Sequence, residues 1–188
     1  MGKKVMVILG SARKKGNSAI LADQIAMGAI AKKAAVETVY LNGLNISPCR
    51  ACMNCQKKRS TGCAIQDDMQ DIYRKLIAAD AWVIASPVYW FAMSAQTKLF
   101  MDRCFALPAY GKDPFAGKRI AIVMTYGGED PFDSGCVNAL RTFQDAFGYT
   151  QSPIIGMVYG SAMEAGGIKS NKKLLKEAFE LGRKIVSG

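Results

Sequence analysis

Residues 10–18 combine the residue types and the spacing of an anion-binding loop. The segment GSARKKG is small, polar and basic; it follows an aliphatic run at residues 5–9 and leads through Asn17-Ser18 into a helical pattern. Unpaired backbone N–H groups and the helix dipole both attract an anion to a helix N-terminus. We expect a phosphate at this loop, bound by loop N–H groups and by Ser11, Arg13, Gly16, Asn17 and Ser18.

The glycine spacing of this loop limits the kinds of phosphate compound that it is expected to bind. A dinucleotide fingerprint requires G-x-G-x-x-G, but no glycine lies between Gly10 and Gly16. A Walker loop requires a lysine where Asn17 stands. The remaining candidate is a terminal monophosphate, as in flavodoxin-like folds that bind FMN. A basic surface loop before an ordinary helix is the alternative.

A second polar and aromatic segment follows the run at residues 81–85, and a glycine-rich segment follows the run at residues 119–125. Adjacent large aromatic residues at a strand end can form the wall of a flat apolar slot for a flavin ring. Two glycines allow the backbone of the other segment to approach that ring closely. Packing of the aromatics beneath a loop is the alternative. The predicted ring-binding residues are Pro87, Val88, Tyr89, Trp90, Phe91, Ala92, Tyr126, Gly127 and Gly128.

Four cysteines lie in an irregular segment at residues 45–68, with the spacing Cys49-x2-Cys52-x2-Cys55-x7-Cys63. Three thiolates at intervals of three, with a fourth further along, can surround a [4Fe–4S] cluster. Residue 64 is Ala, whereas a proline follows the ferredoxin motif. Reduced thiols and a zinc site remain alternatives. Cys104 and Cys136 lie in helical patterns and are expected in the core.

The composition restricts the chemistry further. The chain has 188 residues and no histidine, which excludes Ser-His-Asp hydrolysis, Cys-His proteolysis and histidine-ligated metals. Its net charge of +10 is spread along the chain, which favours a solvated surface attractive to phosphorylated small molecules over a nucleic-acid platform. We expect a single domain over residues 1–188, with a cytoplasmic location and no membrane or nucleic-acid partner.

Strand and helix patterns alternate along the whole chain. Such alternation predicts an α/β fold, a parallel sheet with helices on both faces. Ligands then lie beyond the carboxyl ends of the strands, so the loops after the first, third and fourth strands should be neighbours. The strands are predicted at residues 5–9, 36–41, 81–85, 119–125 and 152–159, and the helices from 17 and at 69–77, 93–105, 133–147 and 171–186.

Three motifs together resemble a known family. They are G-S-x-R-x-x-G-N-S, S-P-V-Y-W-F with the following S-A-Q-T-K-L-F-M-D-R, and the cysteine segment ending in D-D-M. From Lys3 to about Gly160 the chain is similar to the NADPH-dependent FMN reductases, and especially to the iron-sulfur flavoproteins. The resemblance implies a three-layer flavodoxin-like fold, a five-stranded sheet of order 2-1-3-4-5, non-covalent FMN, a homodimer or homotetramer and, in the iron-sulfur members, one [4Fe–4S] cluster.

The resemblance implies an oxidoreductase whose chemistry belongs to FMN, so no catalytic side chain is expected. NAD(P)H would be the transient electron donor, and a quinone, flavin or metal ion the small-molecule acceptor. With a cluster present, electrons would be exchanged with a ferredoxin-like carrier. The alternative is a flavodoxin-like electron carrier or regulatory binding module without turnover.

Overall fold

The computed structural model describes residues 2–187 and contains one twisted sheet. Its five parallel strands lie in the order β2-β1-β3-β5-β6, which confirms the predicted order 2-1-3-4-5. The predicted count of five strands is wrong by one, because a two-residue strand, β4, pairs antiparallel with the end of β3. The strands are β1 (Lys4–Leu9), β2 (Ala35–Tyr40), β3 (Ala81–Tyr89), β4 (Ala92–Met93), β5 (Arg119–Tyr126) and β6 (Ile154–Ser161).

Helices cover both faces of this sheet, because the central strands are apolar on both sides. In β1, Val5 and Val7 face the layer formed by α1 and α5, whereas Met6 and Ile8 face the layer formed by α2, α3 and α4. The three-layer flavodoxin-like arrangement is thereby confirmed. The helices are α1 (Asn17–Ala31), α2 (Met69–Ala78), α3 (Ala95–Arg103), α4 (Cys136–Tyr149) and α5 (Lys172–Ile185).

The cysteine-containing segment lies between β2 and α2 and is closed at its base by two aspartates. Asn45 N donates to Asp68 Oδ2 at 2.7 Å, and Ser47 N donates to Asp67 Oδ2 at 2.9 Å. Apart from short 3₁₀ turns at Leu41–Gly43 and Asn54–Gln56, it has no regular structure. None of the helices found in residues 2–187 combines the length and the apolar character that crossing a bilayer requires.

Candidate functional site

An open cavity of about 250 Å³ lies beyond the carboxyl ends of β1, β3, β5 and β6. The three predicted loops meet there, as the parallel topology requires. Of the predicted binding residues, Trp90, Phe91, Ala92 and Gly128 do not line it. The lining residues are Ser11, Arg13, Gly16, Asn17, Ser18, Pro87, Val88, Tyr89, Thr125, Tyr126, Gly127, Ala162 and Met163.

At one end of this pocket the loop after β1 folds back before α1 begins. Gly16 N donates to the Arg13 carbonyl at 2.9 Å, and Arg13 N donates to Ser11 Oγ at 3.0 Å. Ser11 and Ser18 are 3% and 2% exposed, while Arg13 is exposed to solvent. The first-turn N–H groups of α1 have no intrahelical acceptor, so this end has the donors that a phosphate requires.

The Asn17 side chain does not cap α1. Gly16 is the N-cap residue, without a side-chain hydrogen bond, and Asn17 and Ser18 are the first two residues of the helix itself. The Asn17 amide instead donates to the carbonyls of Ala162 and Glu164 and accepts from the N–H groups of Gly166 and Ile168. Its backbone N–H, in the first turn of α1, remains available to an anion.

Three buried hydroxyl groups, of Ser86, Ser94 and Thr97, connect the two sides of the pocket; we call them the hydroxyl cluster. Ser94 Oγ donates to the Gly10 carbonyl at 2.6 Å and lies 2.9 Å from Thr97 Oγ1, and Ser94 N donates to Ser86 Oγ at 2.9 Å. A Cβ atom at Gly10 would lie only 1.8 Å from Thr97 Oγ1. The hydroxyl cluster therefore fixes the phosphate loop against the start of α3.

The other end of the pocket is apolar and aromatic. Pro87, Tyr89 and Tyr126 lie here, and burial raises the pKa of Tyr126, so its phenol is a neutral hydrogen-bond donor near pH 7. Sequence reasoning missed Ala162 and Met163, which reach the pocket from the end of β6. Their position after a strand that pairs with β5 is the signal that could have found them.

Trp90 and Phe91 form the two-residue tip of the β3–β4 hairpin and do not line the pocket. Both have left-handed backbone conformations, φ 48° and 65°, and they are 92% and 54% exposed. Asn138 Nδ2 donates to the Phe91 carbonyl at 3.2 Å, and a Cβ atom at Gly135 would lie 2.6 Å from Phe91. The tip is therefore held against the start of α4 with its Trp90 ring in solvent.

The four cysteines of the 45–68 segment line a second cavity, of about 20 Å³, beside Arg103 and Phe105. Within residues 2–187, however, no three Cys, Asp or Glu side chains are grouped as metal ligands, so the sulfurs share a cavity without converging. Two residues between the cysteines, Ala51 and Met53, have φ of 49° and 55°. Left-handed conformations at non-glycine residues are uncommon and cost free energy. They are often found at functional sites. Four thiols around one cavity are the donor set that an iron-sulfur cluster uses.

Cys63 is held at three of its atoms by residues outside its own turn. Its N–H donates to Tyr110 Oη at 3.0 Å, its carbonyl accepts from Gln70 Nε2 at 3.2 Å, and its sulfur lies 3.5 Å from Arg103 Nη2. Cys49 and Cys52, by contrast, are exposed. Cys63 is therefore held more firmly than Cys49 and Cys52.

Arg103 belongs to a buried ion pair beneath the cysteine segment. Its side chain is 1% exposed and that of Asp67 is 2% exposed, with Nη1 and Oδ2 2.6 Å apart. Burial alone would lower the Arg103 pKa, but the hydrogen bond to Asp67 raises it. Nη1 also donates to the Ser47 carbonyl at 2.7 Å, while Nε has no hydrogen-bond partner within the described residues.

The sheet order and the helices on both faces define a flavodoxin-like α/β protein, with this pocket at its topological switch point. Residues 3–157 match the family model described as NADPH-dependent FMN reductase. The chain belongs to that family.

Two archaeal relatives are named iron-sulfur flavoproteins. One, from Archaeoglobus fulgidus, is 37% identical over 127 residues, which are 66% of this chain and 62% of the relative. The chain thus spans less than two thirds of that relative's length. The other, from Methanocaldococcus jannaschii, is 34% identical over 164 residues, which are 86% of this chain and 80% of the relative.

The fold is also found in a solved NAD(P)H:quinone oxidoreductase from Methanothermobacter marburgensis. The two structures superpose with a TM-score of 0.73 at 15% identity, covering 100% of this chain and 99% of the other. At that identity the likeness concerns the fold alone.

Proposed function

We propose that this protein is an FMN-dependent oxidoreductase that takes electrons from NAD(P)H and delivers them to a small acceptor such as a quinone, a flavin or a metal ion. The observation that carries the proposal is the convergence of the loops after β1, β3 and β5 on one cavity, with anion donors at one end and aromatic walls at the other. Membership in the NADPH-dependent FMN reductase family supports it.

The chain's own residues bind and orient the cofactor in this proposal. The first-turn N–H groups of α1 and the hydroxyls of Ser11 and Ser18 hold the phosphate, with Arg13 adding charge. No residue of the described pocket lining is acidic, which suits an anionic ligand. In the proposed complex, the Tyr126 phenol donates a hydrogen bond to the cofactor, and Pro87 and Tyr89 form a wall of the pocket. When bound, FMN would supply the hydride-accepting redox chemistry.

The test is flavin binding followed by turnover. We expect added FMN to be bound with quenching of its fluorescence, and the loaded protein to oxidise NADPH when a quinone is supplied. Arg13→Ala should weaken FMN binding about tenfold, the effect of losing one charge-assisted contact, and leave riboflavin binding unchanged. Lys32→Ala, at the opposite end of α1, is the matched control for lost charge. Equal effects of the two variants, or no FMN binding, would refute the proposal.

The alternative function is that of a carrier or regulatory module. The exposed Trp90 at the hairpin tip favours this alternative, because exposed aromatic side chains are typical of protein docking surfaces. FMN binding without NADPH oxidation, across quinone, flavin and ferric acceptors, would establish this alternative in place of the reductase.

We further propose that Cys49, Cys52, Cys55 and Cys63 hold one [4Fe–4S] cluster, with a ferredoxin-like protein as a second electron partner. Their common cavity, the left-handed residues between them and the fixed position of Cys63 support this proposal. The names of the archaeal relatives agree with it. When present, the cluster would supply one-electron transfer.

Iron and sulfide assays on anaerobically purified protein test the cluster. We expect about four irons per chain, the stoichiometry of such a cluster, and their loss in Cys63→Ser. Cys136→Ala, a buried cysteine in α4, is the matched control that should retain the iron. Flavin without iron would instead establish the four cysteines as structural thiols, and zinc in place of iron would establish the third alternative.

We also propose a homodimer or homotetramer in the cytoplasm. The exposed apolar side chains of Trp90, Phe91 and Phe132 are suited to a subunit contact, and six cysteines without a disulfide suit a reducing compartment. Mass measurement in solution tests the assembly: a monomer at micromolar concentration would refute it.

A further inference from the structure

The segment of residues 162–168 follows β6 and closes one side of the pocket; we call it the strap. We propose that the Asn17 side chain is a positioning residue that fastens the strap to the start of α1 and that it makes no contact with phosphate. The inference rests on the proposed FMN site, because the strap matters for binding only if the pocket is that site. It assigns to Asn17 a role different from that of Ser11 and Ser18.

The hydrogen-bonding capacity of the Asn17 amide is used within the strap. Nδ2 donates to the Ala162 carbonyl at 3.0 Å and to the Glu164 carbonyl at 2.8 Å. Oδ1 accepts from Gly166 N at 2.9 Å and from Ile168 N at 3.4 Å. A primary amide has two donor hydrogens and two acceptor lone pairs, so these four contacts leave none for a ligand.

The strap forms part of the end of the pocket where the flavin ring is expected. Ala162 and Met163 line the cavity, and Met163 Sδ would lie 2.9 Å from a Cβ atom built on Gly127. Met163 is 76% exposed, so it has little packing of its own to hold it there. Its neighbours Ala162 and Glu164 are anchored to Asn17 through their carbonyls, and Ala162 N also donates to the Tyr126 carbonyl at 2.8 Å.

Asn17 thereby contributes to both ends of the pocket. Its backbone lies in the first turn of α1, where the phosphate is expected, and its side chain holds the wall that faces the ring. Loosening of the strap should therefore weaken binding of the flavin ring whether or not the flavin carries a phosphate.

Two flavins that differ only in the phosphate separate this role from phosphate binding. Affinities for FMN and for riboflavin are measured in Asn17→Ala, and hydrogen exchange of residues 162–168 is measured in the flavin-free protein. We expect both flavins to bind about tenfold more weakly, the value of about one net hydrogen bond, so that the FMN-to-riboflavin ratio stays that of the wild type. Exchange in the strap should become faster.

Three further variants serve as controls. Asn17→Asp keeps the shape but places a carboxylate oxygen against the Ala162 and Glu164 carbonyls, so it should loosen the strap at least as much as Asn17→Ala. Ser18→Ala should reduce FMN binding alone. Asn171→Ala removes an asparagine side chain that caps α5 by accepting from Leu174 N, and it should change neither flavin affinity.

Loss of FMN affinity with riboflavin affinity intact in Asn17→Ala, or unchanged exchange in the strap, would overturn the inference. Failure of the wild-type protein to bind either flavin would overturn the proposed function instead. The exchange measurement on flavin-free protein would still decide whether Asn17 fastens the strap.

Discussion

The Arg103–Asp67 pair offers the sharpest test of how the cysteine segment is held. Replacing Arg103 by Met keeps much of the side-chain volume but leaves the Asp67 carboxylate buried with only backbone N–H partners, those of Ser47 and Met69. Breaking a buried ion pair in this way costs about 3 kcal/mol or more. For a chain of this size, that loss corresponds to a fall in melting temperature of about 9 °C.

Lowering the pH should reduce the difference in stability between the wild type and Arg103→Met. Burial raises the Asp67 pKa, but hydrogen bonds from Arg103 and Ser47 outweigh it, and the pKa lies below its usual range. The stability from this carboxylate is thus present above the unfolded-state pKa of about 4 and is lost as the pH falls through the folded-state value. In Arg103→Met, burial raises the Asp67 pKa without an opposing contribution from Arg103. Protonation of Asp67 at low pH then removes the buried charge and stabilises the variant. The gap between wild type and variant should narrow from pH 7 to pH 4.

Urea unfolding at both pH values, with iron measured on the same samples, gives the result. Lys98→Met removes an exposed ion pair with Asp102 on the same helix and should cost at most about 0.5 kcal/mol. The double variant Arg103→Met/Asp67→Leu should be more stable than the sum of its single changes predicts, since no charge remains buried. Additive effects, or a gap independent of pH, would refute the reasoning.

Three other predictions concern the core, the sheet and the hairpin tip. Ser94→Ala leaves the buried Gly10 carbonyl without its hydroxyl donor and should lower the free energy of unfolding, measured in urea, by about 2 kcal/mol. Burial lowers the pKa of Lys118, whose amine donates to Ile77 O; the stability of the wild type relative to Lys118→Met should therefore rise as the pH increases from 8 to about 10. Trp90→Ser should leave monomer stability within about 0.5 kcal/mol and lower the fraction of oligomer in light scattering, because this ring is exposed.

The positions of the parallel strands were predictable because they depend on local pattern, whereas the strand order followed from the family resemblance. Buried parallel strands read as aliphatic runs, and a polar, glycine-bounded loop between such a run and a helix is typical of an anion site. The hairpin tip was not predictable. Its two left-handed residues are Trp90 and Phe91, whereas such turns normally carry Asn or Gly, so nothing in the sequence marks β4.

The role of Asn17 shows a second limit. Asn beside Ser before an apolar run is the pattern of a helix cap, and its real partners lie at residues 162–168, far along the chain. Local pattern carries no information about such a contact. The fixed position of Cys63 likewise depends on Tyr110 and Arg103, which the sequence places in unrelated elements.

The contact between Gly10 and Thr97 restricts how this sequence can change over time. Any residue with a Cβ atom at position 10 would overlap Thr97 Oγ1, and Thr97 in turn is tied to Ser94. A substitution at position 10 is therefore accessible only after position 97 has become smaller, whereas the reverse order passes through a destabilised protein. Two residues 87 positions apart thus form an epistatic pair with a preferred order of replacement.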